Sequence, residues 1–243
     1  MEEVSILVPG GKTLLAEVAA PTGAGPHAAV IVIHEIFGLN DDIRAKAAHF
    51  ADGGYLAIAP DIYSILGRKP LCVLRAMQSL RRRDGIAFEG LEAVRAWLAG
   101  RPDVDPARIG VIGFCMGGGF ALLFAAKAPL GAAAVFYGDV PKDETPLEAV
   151  CPVVAGYGGR DALFGKFAAR LEDHLAVLGV ENDIKVYPDA GHSYMSEHTG
   201  LMNKLASWGP MKVGFNPKAA EDSWHRVDAF FAEHLGGGWT RLD

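Results

Sequence analysis

Hydrophobic and polar positions along this chain follow two rhythms. Residues 4–8 and 14–19 alternate with period two on either side of Pro9-Gly10-Gly11, which predicts an opening antiparallel hairpin. At 28–33 the alternation gives way to an unbroken apolar run, the pattern of a strand covered on both faces, and residues 41–51 follow with helical spacing. Further buried strands are predicted at 55–59, ended by Pro60-Asp61, and at 109–112, 132–136, 153–155 and 184–187. Between them lie helical stretches at 88–98, with Leu91, Val94 and Leu98 on one face, and at 120–126, 167–178 and 219–235.

Strands alternating with helices imply an α/β protein with a mostly parallel central sheet, helices on both faces and the N-terminal antiparallel hairpin at one side. Such sheets bind ligands at the carboxyl ends of their strands, so functional residues are expected just after strands. The 243 residues suit one domain spanning 1–243. Residues 196–217, with Gly200, Gly209, Pro210 and Gly214, break the pattern and read either as a lid or active-site loop or as a long surface connection.

Composition narrows the class. Half the residues are hydrophobic and 21% are charged, which is ordinary globular usage. A net charge of -6 argues against a nucleic-acid partner, which needs clustered cations. Arg81, Arg82 and Arg83 form the one basic run; on a helix they fan out, and they read as a solvated face. Cys72, Cys115 and Cys151 are odd in number and lack metal-ligand spacing, so reduced thiols in a cytoplasmic protein are expected. The start Met1-Glu2-Glu3-Val4 lacks signal-peptide character and no apolar run reaches membrane-spanning length, so no membrane partner is expected.

The chemistry centres on Gly113-Phe114-Cys115-Met116-Gly117, a nucleophile elbow with cysteine in the serine position, placed after a strand and before a helix as that motif requires. This context points to the α/β-hydrolase fold. Cys115 at a helix N-terminus is expected to gain thiolate character. The ordinary reading of a free cysteine, a small buried hydrophobe, is kept for Cys72 and Cys151. The chain order nucleophile, acid, histidine is completed by Asp161, after Gly158-Gly159-Arg160, and His192, after Asp189-Ala190-Gly191. Asp161 would fix the imidazole tautomer, and His192 would move the proton between thiol and leaving group. Taken singly, Asp161 could be a helix cap and His192 part of a surface turn; their order after Cys115 favours a triad. The loop from His34 to Asn40 follows the strand expected beside the elbow, so the backbone N–H groups of Ile36 and Met116 are assigned to an oxyanion hole. His34-Glu35 is no zinc motif, since Gly38 stands where a second histidine would be needed, and no Lys-Ser or Lys-Thr follows Gly117–Gly119 to make a phosphate loop. No cofactor and no metal are indicated.

With these residues in hand, the chain resembles the dienelactone hydrolase (carboxymethylenebutenolidase) family. The resemblance runs through Glu35-Ile36-Phe37-Gly38, Pro60-Asp61-Ile62-Tyr63, the elbow, Tyr137-Gly138, Gly159-Arg160-Asp161 and Ala190-Gly191-His192-Ser193. It implies a Cys115, Asp161, His192 triad and a role for Glu35 in holding and helping to deprotonate the cysteine when substrate arrives. One departure concerns substrate. Family members acting on dienelactone carry an arginine four residues after the histidine to bind the substrate carboxylate, where this chain has Ser196. Arg75, Arg81, Arg82 or Arg83 could stand in for a second family arginine upstream of the elbow, and spacing does not choose among them.

The expected activity is hydrolysis of a lactone or small ester through an acyl-cysteine, with a small molecule as the partner and the protein a monomer or small homo-oligomer. The competing readings are a cysteine-glutamate protein of the glutamine-amidotransferase-like type, acting on dicarbonyls or sensing oxidants, and a non-catalytic binding module. The ordered Asp161 and His192 speak against both.

Overall fold

The structure, a computed structural model, describes residues 1–67, 70–197 and 207–237. Among the described residues, eight strands numbered in chain order, with the ranges given below, form one sheet in the order β1-β2-β4-β3-β5-β6-β7-β8. The expected hairpin is β1 (Glu2–Val8) and β2 (Lys12–Ala19), and β2 also runs antiparallel to β4 (Leu56–Asp61). From β4 onward all neighbours are parallel: β3 (His27–Ile33), β5 (Val104–Phe114), β6 (Ala132–Phe136), β7 (Val153–Gly158) and β8 (Asn182–Tyr187). Every residue of β3 from Ala28 to Ile33 is at most 2% exposed, which is why its sequence shows no alternation.

The helices are α1 (Asp41–Asp52), α2 (Tyr63–Leu66), α3 (Leu71–Arg82), α4 (Ile86–Ala99), α5 (Met116–Ala125), α6 (Phe167–Leu178) and α7 (Pro217–Leu235). Their starts follow local chemistry. The Asn40 side chain accepts from the Ile43 N–H at 3.1 Å to open α1, and Asn216 does the same for Ala219 at 3.2 Å with Pro217 as the first residue of α7. α1 and α7 share one face of the sheet, where Phe50 stacks on Phe231 and His49 meets Asp228 at 2.9 Å. On β5, Gly110 faces Leu235 and Phe231 of α7 while Gly113 faces Gly117 of α5, so these two helices cover opposite faces of the same strand. No helix among the described residues is long and apolar enough to cross a membrane.

Several boundaries differ from expectation, β5 starting at Val104 rather than 109 among them, and two have a clear local cause. Pro60 does not end β4, which continues to Asp61 paired with β2. Pairing with β3 stops at Ile58, so the proline removes no ladder bond on that side. The elbow helix begins at Met116 rather than 120, because the glycines after Cys115 enter the first turn instead of forming a loop. The chain leaves β3 toward β4 on one side and later adds β5 on the other, which makes the β3/β5 boundary the point where strand order reverses. In open α/β sheets, ligands bind in the crevice at such a point.

Candidate active site

β5 runs straight into Cys115, whose backbone sits at φ 54° and ψ -116°, in the left-handed half of the map where a side chain is strained. The turn is held because the Cys115 N–H bonds to the Phe136 carbonyl at 3.0 Å. It is sharp enough that a Cβ on Gly113 would stand 2.0 Å from the Gly117 carbonyl oxygen, and one on Gly117 would stand 2.4 Å from that of Ile33. These two contacts explain the glycines on both sides of Cys115.

The thiol is not predisposed to ionise as its position on α5 suggested. Burial pushes it up to about 12 and the Glu35 charge adds to the rise, while the N–H groups of Met116 and Ile36 act against it. Desolvation and a neighbouring carboxylate outweigh the helix terminus, so Cys115 rests as a neutral thiol. Ile36 and Met116, the two residues assigned to an oxyanion hole, line the same cavity as the thiol, and theirs are the N–H groups that oppose its rise.

Asp161 follows β7 and His192 follows β8, both at the carboxyl edge, and they meet through Nδ1 and Oδ2 at 2.6 Å with both side chains buried. The other carboxylate oxygen of Asp161 accepts from the Leu163 and Phe164 N–H groups at 3.0 and 3.1 Å. Asp161 therefore does cap its turn, the ordinary role, and orients His192 as well. The outer nitrogen, Nε2, is buried and has no hydrogen-bond partner among the described residues, the Cys115 sulfur included. Histidine and thiol line the same cavity without a hydrogen bond between them.

Glu35 is 2% exposed and accepts a hydrogen bond from Ser196 Oγ at 3.2 Å. Its loop is fixed by two residues that sequence reading missed. His34, fully buried, accepts from the Ile62 N–H through Nε2 at 3.2 Å, so its proton lies on Nδ1, which donates to the Glu35 carbonyl at 2.6 Å. The Tyr63 hydroxyl donates to the Ile36 carbonyl at 2.8 Å. Together they clamp the peptide that carries the Ile36 N–H and the peptide after it. The position of His34 directly before Glu35 was the available signal, but only the fold brings Ile62 and Tyr63 against it.

Cys115, Glu35, Ile36, Met116 and His192 line one cavity of about 930 Å³, with Asp161 behind the histidine. Two residues weighed from the sequence bear on its walls. Ser196 does not face substrate: it is fully buried and turned toward Glu35, so it offers the cavity no donor. Arg81, read as part of a solvated fan, is exposed as that reading expects and also stands at the cavity wall, and of the four arginines weighed it alone does so among the described residues. Arg75 instead donates to the Leu66 carbonyl. The segment 196–217 falls partly outside the described residues. Of its described part, Met211 and Val213 line the cavity, and the Met211 carbonyl accepts from the His192 N–H at 2.8 Å.

Comparison with known proteins identifies the family. The family model described as "Dienelactone hydrolase family" matches residues 14–235. A Yersinia pestis protein provisionally named carboxymethylenebutenolidase is 28% identical over 241 residues, covering 92% of this chain and 85% of that protein. An Escherichia coli K12 protein of the same provisional name is 30% identical over 228 residues, covering 87% and 79%. The crystal structure of a provisionally named dienelactone hydrolase from Klebsiella pneumoniae superimposes with a TM-score of 0.75 at 28% identity, covering 96% of this chain and 98% of that one. The chain therefore belongs to the dienelactone hydrolase family, hydrolases of ester bonds on the α/β-hydrolase fold.

Proposed function

We propose that this hydrolase opens a neutral lactone or cleaves a small neutral ester through an acyl-cysteine on Cys115. The observation that carries the reading is the convergence on one cavity of a strained elbow cysteine, two backbone N–H groups and a histidine oriented by a buried aspartate. In this reading the substrate carbonyl oxygen takes the place beside the Ile36 and Met116 N–H groups, where charge develops as sulfur attacks. Glu35 receives the thiol proton as substrate displaces it, which converts the resting thiol into the nucleophile only when it is needed. His192, supported by Asp161, carries that proton on from Glu35 to the departing oxygen, then takes one from the water that releases the acyl group and returns it to the freed sulfur.

The preference for neutral substrates rests on the cavity walls rather than on Ser196. Most of the lining is apolar, and of its charged groups Asp41 and Asp42 are already paired with Arg44 and Lys46. Arg81 is exposed, so an ion pair with a substrate carboxylate there is worth about 0–1 kcal/mol. An anion would also share the cavity with the acidic residues Asp139 and Glu197. We read the protein as cytoplasmic and as one domain over 1–243.

Hydrolysis of 4-nitrophenyl acetate by Cys115→Ala tests the nucleophile. Activity should vanish, while Cys72→Ala and Cys151→Ala stay within about severalfold of the parent. Full turnover by Cys115→Ala would remove the cysteine from the mechanism.

A further inference from the structure

Behind the cavity lies a group of buried polar side chains that the mechanism above does not use. Lys46, on α1, is 4% exposed, and its ammonium donates to Asp42 Oδ2 at 2.6 Å and to Ser196 Oγ at 3.3 Å while lying 5.0 Å from the centre of the Phe114 ring. Ser196, fully buried, donates to Glu35 Oε1 at 3.2 Å and lies 3.5 Å from the Tyr137 hydroxyl. The direction of these bonds is dictated by the donor inventory. A lysine ammonium can only donate, so Ser196 Oγ accepts from it, and the single hydroxyl proton of Ser196 is left for Glu35. The Tyr137 hydroxyl then faces the remaining lone pair of Ser196.

The consequence is electrostatic. A carboxylate taken out of water is costly unless it is hydrogen-bonded and charge-compensated. Ser196 alone supplies one neutral donor. With an ammonium behind it the hydroxyl is polarised, and in a low-dielectric interior such chains of bonds strengthen one another. Asp42, one turn before Lys46 on the same helix, tethers the ammonium in place. Lys46 lines a second, smaller cavity of about 410 Å³ and is not among the residues lining the one that holds Cys115.

We propose that Lys46 acts through Ser196 as a positioning relay that fixes the Glu35 carboxylate beside Cys115 and supplies its counter-charge from behind the cavity. This rests on the reading of Cys115 as nucleophile with Glu35 as its proton acceptor. Because the relay touches the proton acceptor and not the substrate, its loss slows chemistry and spares binding.

The test is steady-state hydrolysis of 4-nitrophenyl acetate by Lys46→Met, Ser196→Ala, the double variant and Cys115→Ala, each followed by circular dichroism and thermal unfolding. Both single variants should lower kcat by about tenfold or more with KM within about threefold of the parent. The double variant should lose no more than about twofold beyond the weaker single, since either change already breaks the same chain. Ser196→Ala removes one oxygen and carries the test should Lys46→Met fail to fold. A folded Ser196→Ala with parental kcat overturns the relay, as do losses that fall on KM or that multiply in the double variant. Cys115→Ala separates the two levels. If it is inactive while Ser196→Ala keeps parental kcat, the relay alone falls; if it retains activity, the nucleophile reading falls and the relay with it.

Discussion

At Cys115 the backbone and the surroundings pull the thiol in opposite directions. The first turn of α5 and the N–H groups of Met116 and Ile36 favour the anion, whereas burial and the Glu35 carboxylate oppose it and prevail, holding the thiol up to about 12. The sequence displays the helix start but not the depth of the site, so the expectation of a thiolate failed for want of the desolvation that only packing supplies. A raised value means that the protonated form persists at every pH below it. Alkylation of Cys115 by iodoacetamide at pH 8, mapped by peptide mass, should thus be slower than that of a free cysteine by about a hundredfold or more, given an ordinary thiol pKa of about 8.5. The rate should climb from pH 9 through 11; a plateau by pH 9 would show that the site stabilises the thiolate after all.

At the scale of elements, the elbow works because α5 lies directly against the ends of β3 and β5. An alanine at Gly117 would bring its Cβ within 2.4 Å of the Ile33 carbonyl oxygen, a backbone atom that cannot swing aside as a side-chain tip could. Gly117→Ala should therefore lower stability by about 2–4 kcal/mol, read as a clear fall in the thermal midpoint. An unchanged midpoint would mean that α5 can shift away from β3 at no cost. Much of this level was legible beforehand. The strand at 28–33 announces itself by apolar residues without alternation, and the elbow, Asp161 and His192 by falling just after strands in the required order. The clamp on the Glu35 loop was not legible, because His34 meets Ile62 and Tyr63 across nearly thirty residues of chain. The Lys46, Ser196 and Glu35 group was hidden for the same reason, with 150 residues between the lysine and the serine. Ser196 looked like a lost substrate contact because its place in the chain could be compared with a family pattern, whereas its direction could not.

For the whole molecule, the sheet sets where chemistry happens and the cavity walls set what enters. Strand order reverses between β3 and β5, and the loops leaving those two strands carry Glu35, Ile36 and Cys115. The walls are mostly apolar, with one exposed arginine set among acidic side chains, so a lactone bearing a free carboxylate should show a lower kcat/KM than its methyl ester, by about three- to tenfold. A clear preference for the acid would instead make Arg81 a working carboxylate anchor. The central claim, that Cys115 carries the acyl group, is tested most directly by acid-quenching the enzyme during turnover of 4-nitrophenyl acetate and mapping the acetyl group by peptide mass spectrometry. The account expects the acetyl group on Cys115 and its disappearance once substrate is exhausted. Sustained turnover with an unmodified Cys115, or with the acetyl group on Ser193 beside the histidine, would contradict it.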